Sequence, residues 1–119
     1  MKIYNLKEFL KLPENTLYCE YNDDINSYVA LDHFQLKGET LLTDKKEPWD
    51  FMTTRHLSKS FDATDYVEEE KIWLSLEENK EVPLSLEFNR DASYDPDQLY
   101  LVYDKKDVTT LISALQKCL

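Results

Sequence analysis

Apolar and polar positions alternate or recur along most of this chain, and their spacing predicts an order of elements. Leu6, Phe9 and Leu10 fall at helical spacing directly after Asn5, whose side chain suits an N-cap with Glu8 three residues on. Pro13 stops that helix after one or two turns, too few to stand alone in water. Thr16 to Tyr21 then alternates as a strand, with Leu17, Cys19 and Tyr21 on one side and Thr16, Tyr18 and Glu20 on the other. Asn22-Asp23-Asp24 is turn chemistry, and Tyr28 to Leu36 predicts a second strand completing a hairpin. Lys37-Gly38-Glu39 predicts another turn and Thr40 to Leu42 a short strand, followed by an extended crossing segment from Trp49 to Leu57.

The second half predicts a central helix over Asp62 to Asn79, capped by Asp62 or Asp65, with Tyr66, Ile72, Trp73 and Leu76 as its buried stripe. Beyond Pro83, Leu84, Leu86 and Phe88 alternate with Ser85, Glu87 and Asn89 as a half-buried strand. Asp95-Pro96-Asp97 reads as a turn leading into a strand from Gln98 to Tyr103. Asp104 caps a final helix whose apolar positions, Val108, Leu111, Ile112, Leu115 and Leu119, form an amphipathic stripe. That stripe suits packing on the chain's own sheet or completion of a homodimer. The sum is one α+β domain over residues 1–119, an antiparallel sheet of about four to six strands with a central and a C-terminal helix.

Composition narrows the function. Hydrophobic residues make up 42% and aromatics 13% of the 119 residues, enough for a core despite 32% charged residues. Asp and Glu outnumber Lys and Arg by 24 to 14, a net charge of -10. Such a balance repels nucleic acid and anionic membrane surfaces and favours a basic protein as partner. The one glycine, Gly38, is too few for the usual phosphate-cradling loops and dinucleotide folds. The N-terminal MKIYNLKEFLKL lacks the order of a signal peptide, and no apolar run approaches membrane-spanning length. Cys19 and Cys118 read as reduced thiols of a cytoplasmic protein.

No catalytic or metal constellation emerges, and no cofactor is expected. His33 and His56 show no paired spacing with another His or Cys, so a hydrogen-bonded or surface role is the default. Asp91, Asp95 and Asp97 lack the glycine and distal glutamate of a calcium loop, and Pro96 lies between two of them. The acidic helix is the leading candidate site: Asp62, Asp65, Glu68, Glu69, Glu70, Glu77, Glu78 and Glu81 cluster there. Its carboxylates suit the Arg and Lys forks that a nucleic-acid-binding protein presents to phosphates, and the alternative is a solvated face that maintains solubility. Tyr18, Tyr28 and Tyr94 are expected at an interface rim, since most tyrosines here have acidic neighbours that disfavour base stacking.

Three stretches carry a resemblance. EFLKLPENTLYCEY leads from a short helix through Leu-Pro into an aromatic strand, LKGETL and WDF follow, and VPLSLEFNRDASYDPDQLYLVYDKKDVTTLISALQKCL closes with strand, acidic turn, strand and helix. Together these features resemble a family of small uncharacterised phage and prophage proteins over most of the chain. The family pattern is richer in glycine around its Arg-Asp element, where this chain has Asn89 and Ala92 beside Arg90 and Asp91. The resemblance brings no known activity, but it implies a concrete expectation. The expected protein is a non-enzymatic, phage-derived inhibitor of a bacterial defence protein, of anti-CRISPR type, acting in the host cytoplasm as monomer or homodimer. It would occlude a nucleic-acid-binding or nuclease complex with its acidic surface. The alternatives are an immunity protein or regulator that neutralises a toxin, and a small-ligand binder or enzyme.

Overall fold

The computed structural model describes residues 1–21, 34–57, 66–86 and 94–119. The architecture is α+β, built on a five-stranded sheet in the order β1-β5-β2-β3-β4 with every neighbouring pair antiparallel. The strands are β1 (Lys2–Asn5), β2 (Leu17–Tyr21), β3 (Gln35–Leu42), β4 (Pro48–His56) and β5 (Leu99–Tyr103). The helices are α1 (Leu6–Phe9), α2 (Tyr66–Glu77) and α3 (Lys105–Gln116).

The short helix α1 forms because its start is capped and its interior is anchored. Asn5 Oδ1 accepts a hydrogen bond from the Glu8 amide at 2.9 Å. Leu6, Phe9 and Leu10 are all buried, as their spacing predicts. Phe9 enters a cage of three rings: it stacks on Tyr100 at 4.4 Å and meets Tyr18 and Phe51 edge-on at 4.8 and 4.9 Å. The Tyr18 hydroxyl, deep in this core, bonds Gln35 Oε1 at 3.1 Å and Thr53 Oγ1 at 2.6 Å, so burying it leaves no unmet polar group.

Two local expectations change here. Lys37-Gly38-Glu39 is not a turn: β3 runs straight through it, with register shifts against β4 on both sides. A Cβ at Gly38 would lie 2.8 Å from the Met52 carbonyl oxygen and 2.8 Å from Thr54 Cγ2, so glycine serves close strand approach. Gly38→Ala is therefore expected to destabilise the protein by about 1–3 kcal/mol, read as a lower urea midpoint. The true reversal lies at Thr43–Glu47, where the Thr43 amide donates to the Glu47 carbonyl at 2.8 Å and Lys46 adopts φ 62. The extended segment from Trp49 to Leu57 is β4, paired with β3 rather than crossing the sheet. Of the strand predicted over Tyr28 to Leu36, only its end is described, and that end is the start of β3.

Two further expectations are corrected in the second half. Residues 81–86 form no strand, and Leu84 is 70% exposed; the predicted alternation found no pairing partner there, and residues 87–89 lie outside the described residues. Helix α2 ends in a Schellman arrangement, with Asn79 at φ 59, its amide on the Leu76 carbonyl at 3.1 Å and the Lys80 amide on the Ser75 carbonyl at 2.9 Å. Its predicted stripe is not buried: Tyr66, Trp73 and Leu76 are exposed and no residue of α2 is buried. Helix α3 begins with the full capping box between Asp104 and Asp107, yet Ile112, Leu115 and Leu119 of its stripe are exposed. The Asp107 carboxylate also meets the N-terminal amine at 3.0 Å. Its carboxyl sits below the usual range, chiefly through the Asp104 amide and then through that amine.

Candidate partner-binding surface

Helix α2 and the residues just past it present six carboxylates and two lysines between residues 66 and 81. One lysine, Lys80, is engaged with Glu78 at 2.7 Å. At 100° per residue, Tyr66, Glu69, Glu70, Trp73 and Glu77 fall at i, i+3, i+4, i+7 and i+11, which places them on one stripe. All five are exposed, Trp73 by 51%. The stripe thus flanks two large aromatic surfaces with three carboxylates. Arginine fits this pairing well, because its guanidinium can chelate a carboxylate and lie flat on an aromatic ring.

The sequence-predicted site residues divide into three groups. Glu68, Glu69, Glu70, Glu77, Glu78 and Glu81 are all exposed, on α2 or directly after it. Asp62, Asp65 and Tyr28 lie outside the described residues. Tyr18 and Tyr94 do not join the acidic helix as one patch. Tyr18 is 0% exposed in the aromatic core, so its assignment to an interface rim is corrected: the alternation that puts it on one strand face puts it under α1. Tyr94 is 56% exposed and stands 6.1 Å from the Trp49 ring, beside α1 and the start of β4. Sequence reasoning missed Trp73 as a surface residue. The signal is present in the sequence itself, where Glu69, Glu70 and Glu77 fall three or four residues from Tyr66 or Trp73 of the expected stripe.

The remaining chemistry-bearing groups have structural settings. Among the described residues, no group of three or more His, Cys, Asp or Glu is placed to hold a metal ion. The Asp95 carboxylate accepts from the Asp97 amide at 3.0 Å, the turn role its sequence suggested, and Asp91 lies outside the described residues. His33 also lies outside them, and the His56 backbone pairs with Gln35. Cys19 and Cys118 are both free thiols. Cys19 is buried with its sulfur 3.6 Å from the Tyr103 hydroxyl.

Burial pushes the Cys19 thiol up, against the Tyr103 contact, which lowers it, and burial also pushes the Tyr103 phenol up. Both groups favour their neutral forms when folded. Their contribution to stability is full below the unfolded-state values, about 8.5 for Cys and about 10 for Tyr, and is lost as pH rises from there through the folded values. Alkaline titration followed by circular dichroism should show stability falling from about pH 8.5. The Cys19→Ala, Tyr103→Phe double variant should flatten that fall. Lys37 acts in the opposite sense: it is buried, with Nζ bonded to Thr40 Oγ1 at 2.8 Å, and burial lowers its pKa, so its charging penalty is relieved as pH rises.

Searches of protein-family models, curated proteins and solved structures give no match to this chain. No helix among the described residues is long and apolar enough to cross a membrane.

Proposed function

We propose that this chain is a non-enzymatic binding protein whose helix α2 docks on a basic, arginine-bearing surface of a nucleic-acid-binding protein. Its specific form is a phage-derived inhibitor of a bacterial defence complex, of anti-CRISPR type. The observation that carries the docking element is the exposed stripe of Tyr66, Glu69, Glu70, Trp73 and Glu77. A merely solvated helix has no need of exposed Tyr and Trp between its carboxylates, whereas an interface uses such rings as anchors and the charges for steering. The net charge of -10 adds long-range attraction to a basic target. The phage form of the proposal rests on the sequence resemblance alone.

In this mechanism the carboxylates take the places of phosphate oxygens on the partner's Arg and Lys side chains, and nucleic acid and inhibitor compete for one surface. Steering makes association fast at low salt and slower as salt screens it. Stopped-flow association with the purified partner tests this: an on-rate that does not change with salt would count against the proposal.

A further inference from the structure

A second site lies away from the acidic helix. Beside α1 there is an open cleft of about 400 Å³, lined by Leu6, Lys7, Leu10 and Lys11 from α1 and the turn after it, and by Pro48, Trp49, Tyr94 and Pro96. Among the described residues no carboxylate lines it, which sets it apart from the rest of this acidic chain. Lys7 lies on α1 and Lys11 in the turn just after it; Lys11 shares its charge with Glu8 at 3.3 Å, and Lys7 has no ion pair among the described residues. Asp95 and Asp97 flank Pro96 without lining the cleft, and the Asp95 carboxylate faces the Asp97 amide at 3.0 Å.

We infer that this cleft binds a short extended peptide segment carrying proline beside an acidic side chain. The Trp49 and Tyr94 rings are 6.1 Å apart and tilted by 52°, so they make an open notch rather than the parallel walls that a flat nucleobase needs. Proline-rich segments suit aromatic notches of this kind, because their extended helix is preformed and loses little entropy on binding. The lysines supply complementary charge on the α1 wall, where an acidic side chain next to the proline would lie. Nothing in this inference depends on α2.

Trp49 fluorescence tests it directly. The chain has two Trp residues, so Trp73→Phe leaves Trp49 as the sole tryptophan reporter. The probes are a synthetic peptide with glutamate between two proline pairs, the same peptide with lysine in place of glutamate, and adenosine monophosphate. The expected result is a saturable emission shift with the glutamate peptide, with a dissociation constant on the order of 1 mM or tighter. The lysine peptide should bind at least tenfold more weakly, and Lys7→Glu with Lys11→Glu should weaken the glutamate peptide about tenfold while leaving the circular dichroism spectrum unchanged. Both lysines are exposed, so loss of binding in that variant reports the cleft rather than the fold. Absence of a saturable shift, equal binding of the two peptides, or a shift with the nucleotide alone would overturn the inference.

Discussion

Phe9→Ala is expected to cost about 3–5 kcal/mol, a large share of the roughly 5–15 kcal/mol that holds an ordinary domain together. Phe9 is fully buried and its ring touches Tyr18, Phe51 and Tyr100, so truncation removes the common contact of three strands, β2, β4 and β5. It also releases α1, which at four residues has no stability of its own and holds its place through its cap and its buried side chains. Urea denaturation would show the midpoint falling sharply, with loss of near-ultraviolet aromatic signal. Phe9→Leu should recover part of the loss by refilling volume without the aromatic contacts. A change below about 1 kcal/mol for Phe9→Ala would mean that the core is held elsewhere.

Charge reversal on α2 should have the largest effect on binding. Glu69→Lys and Glu70→Lys together place two cations on the stripe that carries Trp73, converting attraction to a basic partner into repulsion. Affinity is expected to fall at least a hundredfold, about 2.7 kcal/mol. Trp73→Ala alone should cost about 2 kcal/mol or more if the ring is an anchor. Glu14→Lys, a reversal on the exposed loop between α1 and β2, should change affinity by less than about threefold. Because Glu69 and Glu70 are exposed, their reversal should leave the urea midpoint nearly unchanged, which separates a binding effect from an unfolding one.

How far the sequence determined these assignments varies from element to element. α1 was legible because cap and stripe agree: Asn5, Glu8, Leu6, Phe9 and Leu10 all take the roles their spacing implies. α3 was equally legible at its start, where Asp104 and Asp107 form the capping box. Its stripe was visible too, but periodicity says which positions share a face and not what lies against that face. The same limit explains α2, where acidic residues interrupt the apolar stripe and the tertiary contacts, not the pattern, decide exposure. Gly38 misled because glycine serves turns and close strand approaches alike, and only the neighbouring Met52 carbonyl distinguishes them. Strand β1 escaped notice because Lys2–Asn5 is short and mostly exposed; its place beside β5 comes from backbone pairing. Tyr18 shows the same for the site: a tyrosine in an alternating strand fits either face, and the Phe9 cage decided it.

The proposal that α2 masks a nucleic-acid-binding surface is tested most directly by competition. The tagged wild-type protein and its Glu69→Lys, Glu70→Lys, Trp73→Ala variant would be incubated side by side with bacterial host lysate, and retained proteins quantified by mass spectrometry at low and high salt. Parallel samples would contain added double-stranded DNA or RNA. The expected result is a protein retained by wild type alone, released by salt, and displaced by nucleic acid. Retention of the same proteins by wild type and variant, or retention indifferent to nucleic acid, would contradict it.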